Sequence, residues 1–244
     1  MKATLFLLTI ILFSACSSDN DYSSDNLSNF IKANYSNQQV FLNCKLLTGH
    51  NLNSVERFIP LFVDSFNQVR KDTDEVLFFF PIQNKTVSVS EFKILLNYKN
   101  QTSIDELRLT LEGLSFAKIA NCNNEDTSYG RVSLKSDIAQ SDATVIEIME
   151  CEYLEGYSYA TMKLVFEQLI NALAKFNEDI SIVYSENISE KSNFRWFNIF
   201  QSIEDRRIFA EAWQDLSLSR EIQNLFNEQS RCESSNLFRS YKVL

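Results

Sequence analysis

Four side chains have the chemistry to contact a ligand. His50, the only histidine, follows Gly49 in a turn and could act as a general base, although a solvated turn residue is the more common role. Lys93 and Arg195 could hold an anion, although basic residues on an alternating strand more often point to solvent. Trp196 could line a pocket, although large aromatic residues near the end of a sheet usually belong to the core. These four are the candidate ligand contacts, and no catalytic residue is assigned.

The five cysteines indicate disulfide chemistry rather than metal binding. Cys16 lies near the N-terminus, and Cys44, Cys122, Cys151 and Cys232 are spread over the rest of the chain. No two have CxxC spacing and the chain has one histidine, so we predict no metal site. The sequence also has no nucleophile elbow and no glycine-rich phosphate loop, and we predict no cofactor. The four later cysteines allow three disulfide pairings.

The N-terminal residues have the layout of a signal peptide. Lys2 precedes an apolar run from Leu5 to Phe13, which is too short to cross a hydrocarbon core that needs about 20 helical residues. The stretch Leu12-Phe13-Ser14-Ala15-Cys16 resembles the bacterial lipobox, whose cysteine is acylated and becomes the new N-terminus. That motif favours leucine where this chain has Phe13, and an ordinary secretory signal is the alternative. We predict a lipoprotein signal peptide at residues 1–15 and lipidation of Cys16.

The segment after Cys16 is expected to act as a tether. Residues 17–28, SSDNDYSSDNLS, contain almost no apolar side chains and cannot bury enough surface to offset the entropy of ordering. We predict a flexible tether at residues 16–38. By resemblance to enterobacterial sorting, Ser17 after the lipidated cysteine implies the outer membrane. The expected partners are therefore the membrane, through the lipid, and either a small apolar ligand or another protein of the cell envelope.

Composition and charge exclude one class of partner. Hydrophobic residues make up 45% of the chain, including 20 phenylalanines, which indicates a packed core. The formal net charge is −9, and no basic run exceeds two residues. Such a surface repels phosphate backbones, so we predict no nucleic-acid binding.

The chain contains an internal repeat. A shift of 107 positions places Cys44 on Cys151 and Gly49 on Gly156. The apolar residues that follow also coincide, with the spacing of three and four that is typical of an amphipathic helix. We interpret residues 39–138 and 142–244 as two copies of one unit. Later matches need slightly different shifts: Ser90–Lys93 falls on Ser192–Arg195, and Cys122 falls on Cys232.

Each copy is predicted to run strand, helix, strand, strand, helix, strand. This order is that of the ferredoxin-like unit, an antiparallel sheet with helices on one face. One such sheet leaves its other face exposed, so the two copies are expected to cover each other. We therefore predict an α+β fold of two tandem ferredoxin-like βαββαβ units, packed sheet to sheet as a pseudo-dimeric α+β barrel. The predicted elements are Val40–Leu46, Ser54–Val69, Val76–Phe80, Phe92–Leu96, Ile104–Ala117 and Arg131–Leu134, then Val145–Tyr153, Ala160–Phe176, Ile180–Tyr184, Phe194–Phe200, Ile203–Trp213, Ser219–Asn227 and Phe238–Val243.

This topology selects one disulfide pairing. In a βαββαβ unit the end of the first strand lies where the second helix ends. Cys44 is late in a first strand and Cys122 follows a second helix, and the same holds for Cys151 and Cys232. We predict the bonds Cys44–Cys122 and Cys151–Cys232, in an oxidising compartment.

The chain resembles the dimeric α+β barrel superfamily, which includes the antibiotic-biosynthesis-monooxygenase-like domains. The resemblance covers residues 40–244 and rests on the architecture, on the early Cys…Gly turn and on the aromatic strand Phe194-Arg195-Trp196. More narrowly, it looks like secreted marine-bacterial proteins that have this turn and this aromatic strand. No catalytic motif of the monooxygenases matches, so no catalytic residue is carried over.

Two functions follow as hypotheses. The main prediction is a non-enzymatic binding or structural module of the cell envelope. The alternative is a cofactor-independent monooxygenase or isomerase that acts on a small aromatic or polyketide-like compound. A solid, phenylalanine-filled interior would favour the module, and a polar-lined cavity in either copy would favour the enzyme.

Overall fold

The computed structural model describes residues 37–82, 90–124, 128–136, 143–174, 180–233 and 235–244. The predicted signal peptide, Cys16 and nearly all of the tether lie outside these residues. No helix in the described ranges combines the length and apolar character that crossing a bilayer demands. The strands are β1 (Asn37–Leu46), β2 (Glu75–Pro81), β3 (Glu91–Tyr98), β4 (Ala120–Asn124), β5 (Tyr129–Ser136), β6 (Ala143–Tyr153), β7 (Ser181–Asn187), β8 (Asn193–Phe200), β9 (Ser230–Cys232) and β10 (Asn236–Lys242), and the helices are α1 (Leu52–Phe66), α2 (Thr102–Gly113), α3 (Tyr159–Leu173), α4 (Ile203–Asp215) and α5 (Ser219–Gln229).

Eight of the strands form one closed antiparallel barrel. Their order is β10-β2-β3-β1-β5-β7-β8-β6, and pairing between β6 and β10 closes the ring. The short strands β4 and β9 add to β1 and β6 beside the ring. The predicted α+β barrel is therefore present. The two predicted sheets do not only pack against each other, because hydrogen bonds between their edge strands also join them.

The two halves of the barrel have corresponding strand orders. The first half (residues 37–136) runs β2-β3-β1-β5, and the second half (residues 143–244) runs β7-β8-β6-β10. The last strand of each half pairs with the second strand of the other, β5 with β7 and β10 with β2. Each half therefore completes the ring of the other.

Side chains on the barrel strands alternate between the lumen and the helices. On β1, Phe41 points into the lumen, whereas Val40 and Leu42 pack against the helices of the first half. Because the ring is closed and helices cover its outside, both faces of these strands are buried. The buried apolar side chains of the lumen are Phe41, Phe79, Leu95, Ile146, Ile148, Val183, Phe197 and Phe238.

The helix side of the first half is filled by phenylalanines. Helix α1 begins at a capping box formed by Asn51 and Ser54, which satisfies its first backbone donors. Its buried face carries Phe58, Phe62 and Phe66, and the Phe58 ring centre lies 4.4 Å from that of Phe116. Such dense aromatic packing is typical of a core rather than of a binding site.

Both predicted disulfides are confirmed. Cys44 bonds to Cys122, and Cys151 bonds to Cys232. In each pair the two cysteines sit directly opposite each other, on β1 and β4 or on β6 and β9. The strands β4 and β9 were not predicted, because elements of five and three residues carry too little periodicity to be recognised.

Candidate active site

A cavity of about 430 Å³ lies on the helix side of the second half, between the sheet and helices α3, α4 and α5. We call it the helix-side cavity. Its size is that of a site for a small organic molecule. Its larger apolar side chains are Met149, Trp196, Phe200, Phe209, Trp213 and Phe226.

One wall of the helix-side cavity carries a polar cluster of Glu147, Asn198 and Arg206. Arg206 Nη2 donates a hydrogen bond to Glu147 Oε1, and Asn198 Nδ2 donates to Glu147 Oε2 at 3.3 Å. Trp196 Nε1 donates to Asn198 Oδ1 at 2.9 Å. The Glu147 side chain is 14% exposed. The polar cluster is thus an ordered network at the edge of a largely apolar cavity, whose other polar lining residues are Gln214 on α4 and Gln223 and Asn227 on α5.

Three elements position the polar cluster. Glu147 on β6 and Asn198 on β8 are directly paired residues, so their side chains leave the same face of the sheet. Arg206 lies in the first turn of α4, whose N-cap residue is Ser202. The Ser202 hydroxyl accepts a hydrogen bond from the backbone N–H of Asp205 and fixes the start of the helix.

The polar cluster retains capacity to bind a ligand. Arg206 Nε is buried and has no hydrogen-bond acceptor among the described residues. A buried donor of this kind costs free energy unless an acceptor reaches it. The Glu147 carboxylate accepts two hydrogen bonds and has lone pairs left for a third. If a ligand oxygen accepted a hydrogen bond from Arg206, the neighbouring atoms of the ligand would lie next to the Glu147 carboxylate. That carboxylate could then accept a proton from the ligand.

The corresponding position in the first half is apolar. Glu147 precedes Cys151 by four residues and pairs with Asn198, and Val40 precedes Cys44 by four residues and pairs with Leu96. Val40 and Leu96 are 2% and 0% exposed. The polar cluster therefore takes the place of a buried aliphatic pair.

The helix that covers the sheet buries apolar residues in the first half, whereas the corresponding helix of the second half does not. Helix α2 buries Ile104, Leu107 and Leu111 in the core of the first half. Helix α4 has no buried residue, although Phe209 and Trp213 on its inner face line the cavity. The helix-side cavity exists because α4 lies over the sheet without filling the space beneath it.

Two buried tyrosines stand on the same face of the sheet. Tyr184 on β7 is directly paired with Trp196 on β8. The hydroxyls of Tyr184 and Tyr153 are 2.9 Å apart. Burial raises the pKa of both phenols above their usual value. They therefore stay neutral and hydrogen-bond each other, which makes this part of the core rigid.

Of the four candidate ligand contacts, only Trp196 lies in the helix-side cavity. His50 is exposed in the turn after β1, where its backbone N–H donates to the Leu47 carbonyl, and it is not among the residues that line the cavity. The structure thus brings Trp196 together with three residues that were not predicted. A signal for Glu147 was present, since it is a charge inside the apolar run Val145–Met149.

The expectation of a solvent-facing side chain is wrong for Arg195, whereas Lys93 is partly exposed, and both residues lie on the lumen face of their strands. Arg195 is 1% exposed, and its Nε donates to both Glu150 oxygens at 3.0 Å. Lys93 Nζ donates to Asn43 Oδ1 at 2.8 Å. The Phe41 ring contacts both cations, at 5.4 Å from Lys93 Nζ and 4.8 Å from Arg195 Cζ. Side chains alternate along β3 and β8, which places both residues on the sheet face opposite the helices. Because the ring is closed, this face lines the lumen of the barrel.

Comparison with known proteins shows what the chain resembles. No family model and no curated protein matches it. A proposed monooxygenase of Fusobacterium nucleatum is 11% identical, with a TM-score of 0.56 over 86% of this chain and 93% of that one. A chlorite dismutase variant from Candidatus Nitrospira defluvii is 9% identical, with a TM-score of 0.58 over 85% and 92%. A dye-decolorizing peroxidase from Bacteroides thetaiotaomicron is 7% identical, with a TM-score of 0.54 over 84% and 93%.

The shared fold is that of the dimeric α+β barrel. The solved structures above share this architecture with the chain, which agrees with the α+β barrel fold predicted from the sequence. At these identities the likeness concerns the fold alone.

The main functional prediction, a non-enzymatic binding or structural module, is contradicted. The solved structures that share the fold bear the names of enzymes or enzyme-like proteins, among them an anthrone oxidase-like protein. The helix-side cavity with its polar cluster is also the feature expected of the alternative. The helix side of the first half has the solid, phenylalanine-filled interior expected of a module.

The residues of the helix-side cavity do not fit a haem held by histidine. One neighbour is named a peroxidase, and peroxidases that use haem hold the iron through a histidine. The only histidine of this chain, His50, does not line the cavity. The one cysteine of the cavity wall, Cys232, is in a disulfide and has no thiolate to offer.

Proposed function

We propose that the helix-side cavity is the active site of a cofactor-independent monooxygenase or isomerase that acts on a small aromatic or polyketide-like compound. The observation that carries this proposal is the polar cluster of Glu147, Asn198 and Arg206 in a largely apolar cavity, where the first half has the aliphatic pair Val40 and Leu96.

The first step of the proposed reaction is removal of a proton from carbon. Arg206 donates to a carbonyl or hydroxyl oxygen of the substrate, and Glu147 takes a proton from the adjacent carbon. The negative charge that develops on the substrate oxygen faces the Arg206 guanidinium, which stabilises it. Asn198 holds the Glu147 carboxylate in position through its hydrogen bond to Oε2.

Two outcomes can follow from the same carbanion. In an isomerase, protonated Glu147 returns the proton to a different carbon. In a monooxygenase, the carbanion gives its electron pair to O₂, and the peroxide formed takes a proton and then loses water to leave a ketone. The substrate supplies all the electrons in this second case, so no reductant is needed.

The walls of the helix-side cavity favour a flat substrate. Phe209 and Trp213 on α4 are stacked at 6.4 Å, and the Phe200 ring lies 5.5 Å from that of Phe209. Aromatic faces arranged in this way suit ring compounds. One fold neighbour is named as anthrone oxidase-like, and anthrone, a three-ring ketone with an acidic CH₂ group, is a suitable probe.

Oxygen uptake tests this proposal and separates its two forms. The protein is incubated with anthrone under air and under argon, and the products are identified by mass spectrometry. A monooxygenase consumes one O₂ per ketone formed and is inactive under argon, whereas an isomerase turns over its substrate equally in both. Native mass spectrometry of protein purified from its own host would reveal a natural compound that co-purifies. The proposal fails if neither turnover nor a bound ring compound is found.

We also propose that the two halves are tandem ferredoxin-like units that arose by duplication. Their turns support this, since Gly49 and Gly156 have φ of 88° and 85°, a conformation that favours glycine. Both first helices begin with a capping box, at Asn51 and at Ser158. Residues 39–138 and 142–244 would then superpose with Cys44 on Cys151.

The location of the protein remains a proposal based on its N-terminus. We propose that it is exported, lipidated at Cys16 and held in the cell envelope, with the outer membrane as the expected site. The two disulfides support export, because such bonds persist in oxidising compartments.

A further inference from the structure

The disulfide Cys151–Cys232 adjoins one wall of the helix-side cavity. Cys232 lines the cavity, and four residues of the neighbouring helix α5 line it as well: Ile222, Gln223, Phe226 and Asn227. Helix α5 ends at Gln229, and β9 begins at the next residue and ends at Cys232. The wall that α5 supplies is therefore joined directly to the disulfide.

The N-terminal end of α5 is weakly fixed. Its N-cap residue is Leu218, whose apolar side chain cannot accept a hydrogen bond from the first turn. Ser219 and Ile222 are the buried residues of the helix. Phe226 adds a ring contact to Trp196, with the ring centres 6.1 Å apart. A helix that buries so little apolar surface opens locally at a low cost in free energy.

The C-terminal end of α5 is held by β9. This strand has three residues and pairs with residues 151–153 of β6. The backbone N–H of Leu154 donates a further hydrogen bond to the Gln229 carbonyl at 2.9 Å. A three-residue strand forms few hydrogen bonds with its neighbour, so it is easily displaced when nothing else holds it. The disulfide is the covalent link that fixes β9, and through it α5, to the barrel.

The matching disulfide of the first half has different surroundings. The strand of Cys122 follows a short 3-10 turn, Phe116–Lys118, where the second half has α5. Phe116 is buried, and its ring centre lies 4.4 Å from that of Phe58. The Cys44–Cys122 bond thus joins two strands beside a filled core, and neither cysteine is among the residues that line the helix-side cavity.

We infer that the Cys151–Cys232 disulfide is a positioning element of the helix-side cavity. It holds α5 in place as a wall against which the substrate packs, and the Cys44–Cys122 disulfide has no such role. The polar cluster lies on β6, β8 and α4, so its geometry does not depend on α5. Loss of the bond should therefore weaken substrate binding and preserve the chemistry of a bound substrate. The effect on the substrate rests on the proposed function, whereas the effect on α5 does not.

Hydrogen exchange of the full protein, followed by mass spectrometry, tests whether the bond holds α5. In the variant Cys151→Ala/Cys232→Ala, the α5 amides should exchange about tenfold faster than in the wild type, or more. The matched control, Cys44→Ala/Cys122→Ala, also loses one disulfide, and the two bonds have similar sequence separations of 81 and 78 residues. Its α5 amides should exchange within about twofold of the wild-type rate, because α5 opens locally rather than with the whole fold.

Exchange of the CH₂ protons of anthrone in D₂O under argon tests the effect on the substrate. Cys151→Ala/Cys232→Ala should raise KM for anthrone about tenfold or more and keep kcat within about threefold, since packing against a wall contributes to binding rather than to chemistry. The control variant should keep both values. If the wild type does not accelerate this reaction, the proposed function fails, and the hydrogen exchange of α5 alone decides the inference.

Far-UV circular dichroism shows whether each variant is folded. If the alanine variants are not folded, valine takes the place of alanine at the same two pairs of positions, since it fills more of the space left by sulfur and favours strands. The inference is overturned if α5 exchanges at the wild-type rate without its disulfide, or if both disulfide variants accelerate the exchange of α5 equally. It is also overturned if the loss of anthrone exchange is found in kcat rather than in KM.

Discussion

The guanidinium carbon of Arg195 lies 3.8 Å from the centre of the Tyr129 ring, so a cation of the second half is covered by an aromatic side chain of the first. The same guanidinium donates to Glu150 on the neighbouring strand. A buried charge is tolerated when it is paired in this way. The lumen of the barrel thus contains a polar contact that ties its two halves together.

Removing the carboxylate from this pair should destabilise the barrel. Glu150→Gln removes the carboxylate that accepts the hydrogen bonds of the buried Arg195 Nε, and we expect the free energy of unfolding to fall by about 2 kcal/mol. This value lies below that for a fully buried pair because the Glu150 side chain is 37% exposed. Urea unfolding measures the change. Glu152→Gln, at an exposed position of the same strand, should change it by less than about 0.5 kcal/mol, and equal effects of the two variants would contradict the account.

The two disulfides should contribute similarly to stability, since they close loops of similar length, with separations of 78 and 81 residues. Replacing either Cys44 and Cys122 or Cys151 and Cys232 with alanine should lower the free energy of unfolding by about 2–4 kcal/mol. Peptide mapping without reduction should recover both bonds from the wild type. Recovery of a Cys44–Cys151 bond would mean that this arrangement of the halves is incorrect.

Glu75 should make stability depend on acidity. Burial by itself would raise the pKa of the Glu75 carboxyl, but the hydrogen bond from Lys242 and the charges of Arg131 and Lys242 outweigh burial, so the pKa lies below its usual value. A group whose pKa falls on folding stabilises the protein above its unfolded pKa, and this contribution is lost as pH drops through the folded value.

The wild type should therefore be more stable than Glu75→Gln at pH 7, and the difference should shrink as the pH falls below the usual carboxyl pKa of about 4.3. Urea unfolding from pH 7 to pH 3 measures the difference. Glu56→Gln, on the exposed face of α1, is the control. A difference between wild type and Glu75→Gln that is constant over this range, or larger in acid, would count against the role of Glu75.

The lipid anchor is tested by metabolic labelling. Cells grown with a clickable palmitate should label the wild-type protein and not Cys16→Ala. Fractionation of the same cells should find the wild type with the outer membrane and the variant in the soluble fraction. Equal labelling of both proteins would rule out acylation at Cys16.

Local periodicity in the sequence predicted the architecture well. The coincidence of Cys44 with Cys151 and of Gly49 with Gly156 aligned two series of elements, and the barrel followed because an uncovered apolar sheet face is unstable in water. The disulfide pairing followed in turn from that topology. These features depend on residues near each other in sequence or on the general rules by which sheets are covered.

The chemistry of the barrel lumen and of the helix-side cavity was not predictable in the same way. Arg195 has the alternation of a solvent-facing residue, and only closure of the ring buries it. In the sequence, Glu147 is a single charged residue in an apolar strand, and its partner Arg206 lies 59 positions further along the chain. The helix-side cavity itself depends on the distance between α4 and the sheet, and the spacing of hydrophobic residues in the sequence does not encode that distance.

Proton exchange at carbon is the step that both forms of the proposed enzyme share, so it tests the central claim most directly. Under argon in D₂O, NMR follows replacement of the CH₂ protons of anthrone by deuterium, relative to buffer alone. The account predicts acceleration by the wild type, a loss of about 100-fold or more in Glu147→Gln, and wild-type rates in Glu211→Gln, which alters an exposed acid on α4. No acceleration by the wild type, or equal rates in Glu147→Gln and the wild type, would contradict it.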